Sequence, residues 1–215
     1  MSWPQVSSTA AAYGPSELGA VRDPLVPVGD GHTELSEEDR EGLIPTYVAT
    51  RGDLFDAEQR NIARALLRSS PTPGQLLEDF YLRGLHQAMF NDVWRWAGHY
   101  RLRETNIGID PTAISIAVRA LVDDATTWVD CETYEPDELA VRFHHRLVQI
   151  HAFPNGNGRH GRIAADYLVA GLGRQPFGWG AGLEVDTGAL RAAYRHALQD
   201  ADVGDIAELL AFART

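Results

Sequence analysis

From about residue 56 the apolar positions recur with a helical period. In DAEQRNIARALLRS, Ile62, Ala65 and Leu66 share one face, and Asp53 or Asp56 can cap the start. SPTPG breaks that helix. The longest periodic stretch is LLEDFYLRGLHQAMFNDVWRWAG, residues 76–98, with Leu77, Phe80 or Tyr81, Leu85, Met89, Val93 and Trp96 in register. His86, Trp94 and Trp96 read as core or boundary residues within it. HYRLRETNIGID (99–110) alternates polar and apolar residues around Asn106 and Gly108, which predicts a small β-hairpin flap. Five more helical patterns follow: PTAISIAVRALVDDATTWVD with Pro111 at its start, EPDELAVRFHHRLVQIH, RHGRIAADYLVAGLG, TGALRAAYRHALQDAD and DIAELLAFART. The fold class is mostly α.

The start of the chain differs. Residues 1–30 show no sustained period and are rich in Ser, Ala, Pro and Gly, which predicts an extended arm. TELSEEDREGL predicts a short acidic helix inside a 31–52 segment, with Thr33 or Ser36 as N-cap and Gly42 as its stop. A helical domain over 53–215 completes the organisation.

Composition narrows the function. The 215 residues are 44% hydrophobic, enough for a core, and carry a net charge of −11 with a pI near 5.1. That balance argues against DNA and anionic membranes as partners. All 19 basic residues are arginine, so Schiff-base chemistry and a phosphate-loop lysine are excluded. The single Cys131 rules out an internal disulfide and a cysteine metal cage. No apolar run reaches the ~18 residues of a membrane span, and the N-terminus lacks a signal-peptide pattern. The expected location is the cytoplasm.

The stretch that carries chemistry is HAFPNGNGRHGR, residues 151–162. His151 falls at the end of one predicted helix, and Arg159 and Arg162 in the first turns of the next. Gly156 and Gly158 let the intervening backbone turn its N–H groups into one concavity, which a helix N-terminus completes. Two guanidinium groups supply further donors for phosphate oxygens. His151, with an ordinary pKa near 6.5, is a base at the mouth of this cradle, and a helix C-terminus should make it more basic. Phe153 should point into the core, and His160 to solvent. His144, His145 and His151 could suggest zinc, but no HExxH pattern or partner carboxylate supports it.

These residues resemble the Fic, or Fic/DOC, family motif H-x-F-x-[D/E]-G-N-G-R-x-x-R, matched at each fixed position except the acid, where Asn155 stands. FNDVWRWAGHYR resembles the family's approach to its target-binding flap, RETNIGI the flap, and EQRNIARA the start of the first core helix. With EGLIPTYVATRGDL, FGWG and LLAFAR, the pattern is similar to the branch called mobile mystery protein B. The resemblance implies the all-α Fic fold and transfer of AMP from ATP, with Mg²⁺, to a hydroxyl of a target protein. By position it makes His151 the general base, Gly156, Asn157 and Gly158 the anion hole, and Arg159 and Arg162 the phosphate ligands. The Mg²⁺ role falls to Asn155, whose amide brings no charge. The alternatives are therefore a nucleotidyltransferase or a Fic-like module that binds nucleotide or protein with altered or no turnover. The target, the transferred nucleotide and any homo-oligomer stay open. The family's inhibitory helix, [S/T]-x-x-x-E-[G/N], pairs its glutamate with the second motif arginine. Glu41-Gly42 is the expected counterpart here, with Glu58 as the alternative.

Overall fold

The computed structural model describes residues 41–183 and 185–215, and they contain eight α-helices. These are α1 (Arg51–Leu66), α2 (Pro73–Leu76), α3 (Asp79–Phe90), α4 (Ile114–Asp130), α5 (Pro136–Ile150), α6 (Asn157–Gly171), α7 (Thr187–Asp202) and α8 (Ala207–Arg214). A 3₁₀ turn, Pro111–Ala113, leads into α4. The arm over 1–30 and the acidic segment up to residue 40 lie outside the described residues; Glu41 is helical and exposed.

Helices α5 and α6 pack most extensively against each other. Their facing residues, among them Ala140, Phe143, Ala164 and Leu168, are fully buried. Around this pair, α4 covers α5, α2 and α3 cover α6, and α8 packs on α5. A chain with this much helix has few ways to bury apolar stripes except helix on helix. Start signals act locally. Thr50 accepts from the Asp53 N–H at 3.1 Å while Asp53 accepts from the Thr50 N–H at 2.9 Å, a capping box that starts α1.

The pattern at 76–98 does not form one helix. It splits at Leu77, and α3 stops at Phe90. The stop is a tertiary effect. Asn61 of α1 donates its Nδ2 to the Ala88 carbonyl at 3.0 Å and accepts from the Asp92 N–H at 2.8 Å. It thereby takes over groups that a continuing helix would have paired. The chain then turns through Trp94, which meets Leu43 in an isolated antiparallel bridge flanked by Ile44 N–H to Val93 O and Arg95 N–H to Gly42 O.

The expected hairpin at 99–110 is likewise absent. The segment is irregular because its flanks pair with the end of α5 rather than with each other. Arg101 N–H donates to Ala152 O at 2.9 Å, and Ile109 N–H to Ile150 O at 3.4 Å.

The core holds several uncharged histidines. Burial, the largest cause, pushes His144 down to about 3 and His160 to about 4, and takes His86 well below its ordinary value. With folded values below the unfolded 6.5, only the unfolded chain binds these protons between pH 6.5 and about 4. Stability should therefore be fully present above pH 6.5 and fall as pH drops through that window, by at most about 1.4 kcal/mol per pH unit for each histidine. Urea unfolding at pH 7, 6 and 5 checks this, and a constant midpoint would contradict it.

Candidate active site

The motif occupies the joint between α5 and α6. Helix α5 ends at Ile150, and His151 caps it in the left-handed conformation, φ 54° and ψ 56°. That region is uncommon for a non-glycine residue. Five residues later Gly156, φ 80°, caps the start of α6. Glycine is required there, since a Cβ would lie 2.6 Å from the Phe90 ring.

Side chains fix the loop between these caps. Asn157 Oδ1 accepts from the Phe153 N–H at 2.9 Å, and its Nδ2 donates to the Phe153 carbonyl at 2.7 Å. Phe153 is buried, and its ring stacks on His86 with centroids 3.7 Å apart. His86 Nδ1 accepts from the Gly98 N–H at 3.0 Å, so Nε2 carries the proton and donates to the Asn155 carbonyl at 3.0 Å. His160 is buried, contrary to expectation, with Nε2 against the Leu82 carbonyl at 2.9 Å. It sits on the α6 face that packs toward α3, so solvent is not available to it.

His151 is also buried. Burial, and secondarily the Arg101 guanidinium, push its pKa down to about 4, against a smaller upward pull from the Val148 carbonyl. The expected gain in basicity from the helix end is therefore reversed, because desolvation outweighs it. Nδ1 is enclosed, and Val148 lies outside hydrogen-bond geometry. Nε2 is left as the atom for chemistry.

The two motif arginines diverge. Arg159 forms an ion pair with Glu58 at 2.7 Å, both side chains nearly buried, and lies 4.8 Å over the Phe90 ring. The other Glu58 oxygen accepts from Trp94 Nε1 at 2.7 Å. Arg162 is buried and faces Tyr194 of α7 at 5.7 Å, with its Nη1 close to Gly158. The structure thus brings His151, Asn155, Gly156, Asn157, Gly158, Arg159 and Arg162 to one joint, with Glu58 on Arg159. Glu41 is exposed, and among the described residues Glu58 is the carboxylate paired with Arg159. The partner is Arg159, whereas the resemblance implied the second arginine.

Asn155 is half-buried, and its Oδ1 accepts from the Gly156 N–H at 2.6 Å. A neutral oxygen already in use is a poor ligand for a divalent cation. Among the described residues no group of three or more His, Cys, Asp or Glu could hold a metal. The residues present do not fit a resident Mg²⁺. The neighbouring histidines are engaged elsewhere: His144 with Tyr194 Oη at 2.9 Å and His145 with Asp202 at 2.8 Å.

Sequence reading missed Arg101, whose side chain touches the His151 carbonyl, and the anchoring role of His86. The polar/apolar alternation in HYRLR gave no such signal: it would turn Leu102 inward and Arg101 outward, whereas Arg101 is buried and Leu102 exposed.

Residues 76–169 match the Fic/DOC family model. Protein adenylyltransferase fic-1 of Caenorhabditis elegans is 30% identical over 117 residues, which are 51% of this chain and 21% of that protein. The solved structure of Fic-1 (residues 134–508) from that organism superposes with a TM-score of 0.59 at 19% identity, over 80% of this chain and 50% of that one. BepC of Bartonella tribocorum, solved with bound AMPPNP, gives 0.62 at 16% identity, over 83% and 97%. An N-terminal Fic domain from Bartonella quintana, solved with bound ADP, gives 0.62 at 16%, over 79% and 86%. The chain thus spans only a fifth of its curated relative. The helical frame, the caps around the glycine loop and the family match all fall on the same residues: residues 76–169 of this chain match the Fic/DOC family, and the solved Fic structures share the fold.

Proposed function

We propose that this chain transfers AMP from ATP to a hydroxyl of a target protein and is held back by Glu58. The observation that carries the reading is His151: a buried, neutral imidazole beside a glycine loop that opens a helix. With Nδ1 enclosed, Nε2 is the nitrogen that takes the hydroxyl proton, in the tautomer that carries its proton on Nδ1. The hydroxyl oxygen bonds to the α-phosphorus, the bond to the bridging oxygen breaks, and pyrophosphate leaves. In this reading the backbone N–H groups of Gly156, Asn157 and Gly158 receive the phosphates at the positive end of α6, the Gly156 N–H by exchanging its bond to Asn155 Oδ1. Arg159 and Arg162 add fixed positive charge where charge develops.

Glu58 supports the regulatory half. A carboxylate bound to Arg159 removes that arginine from phosphate binding and adds negative charge beside it. A second reading, a nucleotide-binding module without turnover, is favoured by one observation: the Asn155 oxygen is spent on the loop itself.

His151→Ala should lower transfer about 10²–10⁴-fold with ATP affinity little changed, measured with radiolabelled ATP and by calorimetry. Because the base is active when neutral, wild-type kcat/KM should hold as pH falls through 6.5 and drop only toward about pH 4. A retained rate in the variant, or a limb at 6.5, would remove His151 from its role.

Glu58→Gly should raise ATP affinity and transfer, Glu41→Gly should leave both unchanged, and Glu58→Gly/Arg159→Ala should lose the gain. Activation by Glu41→Gly alone would overturn the assignment.

Asn155→Glu adds a charged oxygen and should make transfer rise steeply with Mg²⁺ concentration. A falling rate with intact ATP binding would mean that the amide serves a different chemistry.

A further inference from the structure

Arg101 is buried, yet its charge faces carbonyl oxygens. Nε donates to His151 O at 2.7 Å, Nη1 to Arg103 O at 2.7 Å and Nη2 to Ile109 O at 2.5 Å. Its own backbone N–H donates to Ala152 O. One planar fork therefore joins the turn that carries His151 to both ends of the irregular 101–109 segment. Gly108 closes the arrangement. With φ at 100°, it lies where a Cβ would come within 2.6 Å of His151 Cβ and 2.8 Å of Arg101 Nη2.

The turn needs such a hold. A left-handed histidine persists only when its surroundings over-determine it. The His151 N–H still bonds back to Leu147, but its carbonyl has left the helix ladder, and Arg101 receives it. Lysine could not do this, because an ammonium lacks the rigid fork that reaches three acceptors in one plane.

We propose that Arg101 is a positioning residue for the transfer reaction: it locks the turned-out backbone of His151 and couples that turn mechanically to the 101–109 segment. A change in this segment is then felt at the base. The effect of Arg101 on the His151 imidazole is a consequence, since a fixed cation opposes its protonation. The charged groups acting on Arg101 itself are Glu104 and Asp110, both in favour of its charge. The proposal rests on the nucleotidyl-transfer reading for its catalytic part, so the test has a second readout that needs no turnover.

Arg101→Lys keeps the charge and loses the fork; Arg101→Gln loses both. The full chain is labelled at histidine, and the His151 imidazole is titrated by NMR in wild type and both variants, alongside amide hydrogen exchange and radiolabel transfer. Arg101→Lys should lower kcat about tenfold or more with KM for ATP within about twofold, since a small misplacement of a base is costly. It should speed exchange at the Ile109 N–H and leave the His151 midpoint near 4. Arg101→Gln should move that midpoint upward toward 6.5. Wild-type kcat and wild-type exchange in Arg101→Lys would overturn the proposal, as would an unmoved midpoint in a folded Arg101→Gln. If wild type transfers nothing from any nucleotide, the functional reading fails, while exchange and titration still decide the positioning role. If Arg101→Gln does not fold, the Lys variant decides it.

Discussion

Helix α5 has to end at His151 and the chain has to turn there, and most of the site follows from that turn. A residue in the left-handed region stops the helix ladder and swings its carbonyl outward. The imidazole then stands at the joint between two buried helices instead of along one of them. The cost of a non-glycine residue there is of order 1–3 kcal/mol, offset by the surroundings. Those surroundings are specific: the Leu147 carbonyl on the N–H, the Arg101 fork on the carbonyl, and Gly108 packed against the side chain. The same joint lets α6 begin six residues later, at Asn157, which brings its N-terminus close to the His151 imidazole.

Burial decides the chemical state of the groups at this joint. His151, His86 and His160 lie within one packed region and are neutral because the charged form would be desolvated. Neutrality makes His86 a dependable fixture, with one nitrogen accepting from Gly98 and the other donating to the loop. The arginines keep their charge, and a nearly buried one requires partners. Arg101 finds carbonyl oxygens, and Arg159 finds the carboxylate of Glu58, itself steadied by Trp94. Breaking a buried pair by removing one member leaves the other uncompensated, which is strongly destabilising.

Asn155 shows how a one-residue change redistributes these roles. Its backbone carbonyl is held by His86, so the loop keeps its path. Its side-chain oxygen turns to the Gly156 N–H and closes a local bond, and its amide brings no charge for a cation. Loop geometry and metal affinity are thus separable at this position, because backbone contacts fix the first and side-chain charge the second.

The local signals in the sequence were sufficient for the helices at 114–130, 136–150, 157–171 and 187–202 and for the body of the one at 51–66, whose cap is Thr50 rather than Asp53 or Asp56, because apolar period, Pro starts and capping residues act within a few positions. The motif residues were also legible, since their spacing forces a helix end, a glycine turn and a helix start into adjacency. Three matters were settled only by tertiary contact. Helix α3 ends at Phe90 because Asn61, from another helix, takes its terminal groups. The 99–110 segment forgoes a hairpin because its flanks bond to residues 150 and 152. The acid near Arg159 is Glu58, held by a tryptophan 36 positions away. Sequence patterns determine which groups a segment offers; which groups meet across long separations, and how much water remains around them, depends on packing, and packing set the partner of Arg159 and the low basicity of His151.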